Sequence, residues 1–396
     1  MTVLLLVVIY LSFISLGLPD SLLGAAWPTM QQSLSVPISR AGWLSMIISA
    51  GTVISSLFSA KLLRRFGTGP VVSCSVLLTA AALFGFSVSS GFPMLCLAAV
   101  PYGLGAGAVD AALNHHVAVH YAARHMSWLH CFWGVGAAMS PYIMSFFLRQ
   151  DGNWQGGYRA VSVIQICLTL VLFASLPLWK RSDGTETQDT EQAAAPLPMR
   201  ALLRQRGVRQ VLTAFFCYCA LESTAGLWAS SFLVYERGVG IQTAARFASL
   251  FYIGITAGRF ICGFVSERLG DRGMIRLGLL GIAAGVTLLL LPLPCGFALA
   301  GLVTVGLGCA PIYPSQIHAT PAVFGRAHAQ ALIGMQMASA YIGTTLMPPL
   351  FGVIADRAGL QMFPLFLMMF LVLMAMLTEQ VHGKPQTDCK KTEAHT

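Results

Sequence analysis

From residue 3 to residue 379 the chain is built of apolar stretches of about 20 to 25 residues, parted by short polar interruptions. That pattern leaves little choice of fold. A helix rises 1.5 Å per residue, so about 20 residues cross the roughly 30 Å hydrocarbon layer of a bilayer. Inside lipid no water satisfies backbone N–H and C=O groups, so such a segment must bond to itself as a helix. Charged residues make up 10% of the chain and hydrophobic residues 56%, where a soluble protein carries about 25% charged residues. Twelve spans fit, near 3–26, 39–62, 69–89, 93–121, 127–148, 158–179, 209–234, 243–265, 274–292, 296–318, 327–351 and 360–379. The expected fold is an all-α membrane protein embedded in a lipid bilayer.

Twelve spans return both termini to one side. Loops and helix ends on that side hold 18 Lys and Arg residues, against 6 on the other (Arg40, Arg149, Arg159, Arg237, Arg246 and Arg357). Positive residues collect on the cytoplasmic face, so both termini are expected in the cytoplasm and the chain in the inner membrane. The same bias accounts for the net charge of +9. No stretch interleaves basic and aromatic residues as nucleic-acid binding requires. No basic segment precedes the first apolar run and no small-residue cleavage site follows it, so it reads as a retained helix. The ten cysteines lie mostly in apolar runs without CxxC spacing, as reduced packing residues do.

The longest polar stretch holds Asp183, Glu186, Asp189, Glu191, Pro196 and Pro198 and falls near the midpoint. It reads as a flexible linker. The expected division is a six-helix half over 1–179, a cytoplasmic linker over 180–207, a second half over 208–380 and a polar cytoplasmic tail over 381–396.

The two halves repeat each other. Asp20-Ser21-Leu22-Leu23-Gly24 stands near the end of the first apolar segment and Glu222-Ser223-Thr224-Ala225-Gly226 near the end of the seventh, an offset of 202 residues. Trp27 and Trp228 follow. Gly105 and Gly308 match in spans four and ten, and Gly136 and Gly343 in spans five and eleven, each five residues before a proline, Pro141 and Pro348. Glycines let helix backbones approach closely in lipid, and such prolines bend helices whose freed carbonyls find other partners. Two pseudo-symmetric six-helix halves with matched intramembrane acids are the signature of a secondary transporter.

Gly263-Phe264-Val265-Ser266-Glu267-Arg268-Leu269-Gly270 fits a G-x-x-x-[DE]-R-x-G loop between spans eight and nine. The first-half copy, Ala60 to Gly67, keeps Arg65 and Gly67 but has Arg64 where the acid belongs. A third copy, Gly352 to Gly359, follows span eleven with Asp356 and Arg357. These loops resemble the gating-loop motif of the major facilitator superfamily. Within it the chain resembles the fucose permease-like branch of sugar:proton symporters, through the span-one acid with Gly24 to Pro28, through Asp110 and Asn114, and through Leu129-His130-Cys131-Phe132-Trp133-Gly134-Val135-Gly136 with Pro141. It departs from that branch in setting the span-one acid about one turn earlier and in carrying Asp110 where glutamate is expected. The resemblance implies proton-coupled symport of a sugar or sugar derivative by alternating access. It also implies a substrate- or proton-binding role for Asp110, and Arg65, Gly67, Glu267, Arg268 and Gly270 as the gating loop.

Three acids stand inside apolar spans: Asp20, Asp110 and Glu222. An ionised carboxylate at a bilayer centre costs roughly 2.5 to 3.5 kcal/mol on insertion scales, so a protonated or paired state is favoured. That is the property proton coupling needs; the bland reading for Asp20 is a solvated cap of a broken helix beside Pro19. Glu222 has Arg259 as a candidate partner, unless Arg259 snorkels to the cytoplasmic face. Asp110 and Asn114, four apart, share a helix face. Asn114, His130, Trp133, Tyr218, Trp228, Tyr313, Gln316, Gln336 and Tyr341 are candidate substrate contacts. Aromatic faces stack on sugar C–H surfaces while polar groups bond the hydroxyls. Trp27 and Trp43 fit the interfacial belt. His116 and His120 have i, i+4 spacing, but no Cys, Asp or Glu completes a metal set. His115 is a possible cavity residue beside Asn114, with His318 as its register mate.

No phosphate-cradling G-x-x-x-x-G-K-[ST] and no G-x-S-x-G occurs, so neither ATP-driven transport nor hydrolase chemistry is expected, nor any cofactor. The expectation is a monomeric, non-enzymatic transporter whose partners are a small-molecule substrate and the proton. Two alternatives stay open. Gly134-x-Gly136 with Ser140-Pro141 partly resembles an antiporter motif, although serine stands where glycine should precede the proline, so a proton-driven exporter fits too. A non-transporting receptor or scaffold is the other.

Overall fold

The computed structural model describes residues 2–121, 123–149, 152–183 and 199–382. The middle of the expected linker (184–198) and most of the tail (383–396) lie outside the described residues, as do the side chains of His115 and His120. Helices follow one another as α1 (Thr2–Asp20), α2 (Leu22–Leu34), α3 (Arg40–Phe66), α4 (Thr68–Ser87), α5 (Phe92–His120), α6 (Ala123–Leu148), α7 (Trp154–Ala174) and α8 (Leu176–Asp183). The second half holds α9 (Met199–Leu202), α10 (Val208–Tyr235), α11 (Ile241–Leu290), α12 (Cys295–Cys309), α13 (Ile312–Phe324), α14 (Arg326–Ala358) and α15 (Phe363–His382).

Eleven stretches of the described residues are long and apolar enough to cross a bilayer. One of them, α11, has 50 residues, about 75 Å of helix and twice what a bilayer needs. It breaks at Gly270, where φ is 63° and ψ 170°, a region open to glycine and closed to residues with a Cβ. Divided there, α11 crosses twice and twelve crossings result. Gly67 (φ 80°, ψ 165°) and Gly359 (φ 84°, ψ 162°) end the other two motif copies in the same conformation. The last glycine of the motif is thus the residue that turns the chain back.

Two spans expected as single helices are broken. Span one is α1 and α2, parted at Ser21, and span ten is α12 and α13, parted at Ala310 and Pro311. Prolines explain how such bends survive in lipid. Pro19 lacks the N–H that would bond the Ser15 carbonyl four residues back. Gln165 of α7 supplies the donor, its Nε2 reaching the Ser15 oxygen at 2.5 Å. Pro141 likewise frees the Ala137 carbonyl, and the Ser21 hydroxyl donates to it at 2.6 Å while lying 2.6 Å from the Ser140 hydroxyl. The serine of the repeated motif therefore ties the break in span one to the bend in α6.

The matched glycines make matched contacts. Gly136 of α6 presses on the backbone of Ile14 and Leu18 in α1, and Gly343 of α14 on Phe216 and Ala220 in α10. Gly105 of α5 meets Ser75 and Thr79, and Gly308 of α12 meets Gly278 and Ile282. Gly24 and Gly226 meet each other: a Cβ at Gly24 would lie 2.7 Å from the Gly226 oxygen. The repeated motif touches its own copy across the pseudo-two-fold axis.

That contact belongs to a closed end, on the side away from the termini. There the Tyr235 hydroxyl donates to Gln31 Oε1 at 2.7 Å, the Ser145 hydroxyl donates to the Gln242 carbonyl at 2.8 Å, and the Ser39 amide donates to Asp356 Oδ1 at 3.2 Å. All three join one half to the other. A vestibule of about 760 Å³, lined by Thr29, Gln32, Ser33, Gln242 and Thr243 among others, lies outside the closure. Toward the terminus side Tyr341 of α14 hydrogen-bonds Ser56 of α3, and no described ion pair joins the halves there. Trp27, expected in the interfacial belt, is instead 0% exposed and donates to the Ile38 carbonyl; Trp43 is exposed as expected.

Candidate functional site

Asp20 is the last residue of α1 and lies near the middle of the Leu4–Leu34 span. This corrects the reading that set it near the end of its segment: α2 carries the span on for more than three turns. Its side chain is exposed although it lies deep in the bundle, because it faces the space between the halves. Trp133 of α6 donates its indole N–H to Asp20 Oδ2 at 2.7 Å, and the Tyr102 hydroxyl of α5 makes a longer contact of 3.5 Å with Oδ1.

The same indole reaches the other half. Arg259 of α11 stands with its guanidinium carbon 5.2 Å above the Trp133 ring, a cation–π distance. Tyr252 meets the ring edge-on at 6.2 Å. Arg259 in turn lies 3.9 Å from Glu222 of α10. It therefore pairs with an acid at mid-span and does not snorkel to the surface. Asp20, Trp133, Arg259 and Glu222 form one array that begins on the first half and ends on the second.

Asp110 lies one layer nearer the terminus side. Asn114 donates to both its Oδ1 and its carbonyl at 2.9 Å, as their shared helix face requires. Tyr313 and Tyr341 of the opposite half stand within electrostatic range of Asp110. Tyr313 packs on Phe215 at 5.1 Å and donates to the Met337 sulfur at 3.2 Å. His130 meets Phe13 edge-on beside the array.

Four expected substrate contacts go elsewhere. Trp228 is fully buried and donates to the Pro348 carbonyl within its own half. Tyr218 is buried behind Tyr313. Gln316 (6% exposed) lines a small pocket inside the second half with Thr320 and Thr378, and Gln336 (1% exposed) accepts from Thr320 behind it. Periodicity placed these residues inside spans and could not say which helix face meets the cavity. Tyr102 and Tyr252 were missed, although both are polar aromatics inside apolar runs. Arg65, Glu267, Arg268 and Gly270 are exposed, and no described ion pair includes them. The described terminus-side ion pairs are instead His318 with Asp271 at 2.8 Å, and Glu379 of α15, 2.6 Å from Arg276 and 3.4 Å from Arg272. Those arginines are four apart after the Gly270 break, and that spacing could have flagged them.

The family model described as Major Facilitator Superfamily matches residues 9–292 and 213–388. The chain belongs to this superfamily, and it is a multi-pass membrane transporter by fold. It is 24% identical over 89% of its length to Bypass of stop codon protein 6 of Saccharomyces cerevisiae, covering 77% of that protein. It is 20% identical over 65% of its length to the hexuronate transporter of Bacillus subtilis, covering 64% of it. Among solved structures it resembles a bacterial homologue of the human lysosomal transporter Spinster in an inward-facing, unoccupied conformation, with a TM-score of 0.73 at 15% identity over 95% of this chain and 93% of that one. It also resembles the fucose:proton symporter FucP of E. coli, with a TM-score of 0.63 at 15% identity over 97% and 99%.

Proposed function

We propose that this protein is a proton-coupled symporter that carries a small polar solute, a sugar or sugar derivative, across the cytoplasmic membrane by alternating access. Both termini are cytoplasmic, and the monomer is the working unit. The observation that carries the reading is the array Asp20–Trp133–Arg259–Glu222, which faces the space between the halves at mid-span. Closing that space around an ionised carboxylate costs roughly 2.5 to 3.5 kcal/mol on insertion scales. Protonation of Asp20 or Asp110 removes the cost and lets the loaded carrier reorient; release of the proton on the cytoplasmic side resets it. Trp133, Tyr313 and Tyr341 supply aromatic faces, and Asn114 and His130 supply polar groups, as a sugar ring demands. The names of two similar proteins, a hexuronate transporter and a fucose:proton symporter, fit a sugar-like solute.

A thermal-shift screen of monosaccharides, organic acids and lipophilic drugs identifies the solute. Proteoliposomes then test the cycle. Asp20→Asn and Asp110→Asn are expected to lose uphill uptake while keeping solute counterflow. Full uphill uptake by both variants would sink the coupling claim. Protons moving against the solute would make the protein an exporter, and absence of any flux would favour the receptor reading.

A further inference from the structure

We infer that Arg259, seated on the face of Trp133, is the subsite for a carboxylate of the transported solute, so that the sugar derivative is a sugar acid. The inference rests on the symport reading above and narrows its substrate class. It begins from hydrogen bonds that are not made. A guanidinium carries five N–H donors, and none of Arg259's appears in any described hydrogen bond, although the side chain is only 15% exposed. Glu222 stands 3.9 Å away, outside the 2.7 to 3.2 Å range of an N–H···O bond. It offsets the charge of Arg259 without occupying its donors.

The other two acids are in the opposite condition. Asp20 accepts from Trp133, and Asp110 accepts from Asn114. Glu222, like Arg259, enters no described hydrogen bond, but Arg259 is the array's cationic donor, and its N–H groups are the capacity that an anionic solute would use. Trp133 shapes what that donor set can take. The guanidinium rests over the ring at 5.2 Å, so the ring covers one side of it. A carboxylate meets such a fork with two parallel charge-assisted bonds. A sugar hydroxyl accepts one bond and leaves the second donor of the fork unused, whereas a carboxylate occupies both. A lysine would present a point charge without the fork.

The test is competition in counterflow by matched pairs, glucose against glucuronate and galactose against galacturonate. It uses the full-length protein and its Arg259→Gln and Arg259→Lys variants. In the unmodified protein each uronate should compete about 10- to 100-fold better than its parent sugar, the range for one charged hydrogen-bonded pair. Arg259→Gln should bring the two within about twofold, and Arg259→Lys should fall between, since it keeps the charge and loses the fork. Neutral sugars competing as well as uronates, sugar phosphates competing better than uronates, or an undiminished preference in Arg259→Gln would each overturn the inference. Should Arg259→Gln fail to fold, the sugar panel on the unmodified protein still decides. Proton-driven uptake of a neutral sugar would remove the carboxylate subsite and leave the symport reading standing, whereas uronate uptake without proton movement would do the reverse.

Discussion

Replacing Gln165 with leucine should destabilise the first half by about 1 to 2 kcal/mol, and removing Pro19 should take most of that cost away. Gln165 is 0% exposed on α7 and holds Ser15 of α1 twice, donating to its carbonyl and accepting from its hydroxyl, each at 2.5 Å. The carbonyl needs this partner because Pro19 has no N–H to offer it. Leucine restores much of the lost volume but leaves the carbonyl unpaired. The hydroxyl is less exacting, since it can turn back to the Leu11 carbonyl one turn earlier. An orphaned buried acceptor costs about 1 to 3 kcal/mol, while side-chain bonds between membrane helices average about 0.6 and reach about 1.7; the estimate sits where the two ranges meet. Pro19→Ala restores an N–H in helical register with Ser15. In that background Gln165→Leu should cost under about 0.5 kcal/mol, giving a coupling near 1 kcal/mol. Reversible unfolding of the four proteins in mixed micelles measures it. If Gln165→Leu costs the same with proline or alanine at position 19, the bond does not answer the proline and the account of the α1 bend is wrong.

Gly24→Val puts a Cβ at 2.7 Å from the Gly226 oxygen, which should disfavour the closed end by about 1 to 3 kcal/mol. Spin labels at Ser33→Cys and Thr243→Cys should then report longer distances, and an unchanged distribution refutes the wedge. Gly270→Ala forces a Cβ into a region costing about 1 to 3 kcal/mol, whereas Gly263→Ala meets open space in a helix. The first should melt several degrees below the second, and equal melting would show that the break tolerates other residues. Glu379→Gln removes an exposed pair with Arg276 and Arg272 and should cost no more than about 1 kcal/mol, less at high salt. A larger loss, or one that salt does not reduce, means the cluster holds more than itself.

The layout was legible because lipid permits so few solutions. Span number, the matched glycines and the loop motif all follow from composition and offset, and Gly136 and Gly343 make the same contacts two hundred residues apart. The parts that were not legible depend on which face of a helix meets the cavity. Gln316 and Trp133 look alike in sequence, each a polar-edged residue in an apolar run. One is enclosed by α10, α11 and α15, and the other spans the gap between halves. The break in span ten was missed, and the one in span one was read only as the alternative role of Asp20 beside Pro19, for a related reason. Ser21 reads as a small residue in a helix until Pro141, 120 positions later, frees the carbonyl it binds.

The halves agree in the close contacts of their matched glycines and disagree in where their helices break and in the side chains around the acids, and the disagreement is where recognition has to lie. A carrier that rocks about a pseudo-two-fold axis needs equivalent contacts on both sides of it, and glycine pairs such as Gly24 with Gly226 supply them. A solute without two-fold symmetry cannot be held by two equal walls. Here the walls differ at each matched position around the acids. Arg259 has Ser56 as its register mate, Trp133 has Ala340, Asp110 has Tyr313 and Tyr102 has Val305. Asp20 ends a helix and is held by neutral donors, while Glu222 lies inside continuous α10 beside a cation. Changes at matched glycines should therefore alter the balance of conformations for every solute alike, whereas changes at Arg259 or Trp133 should alter the ranking of solutes. Transport assays on a mixed panel separate the two outcomes, and a Gly24→Val variant that reorders the panel would break the division.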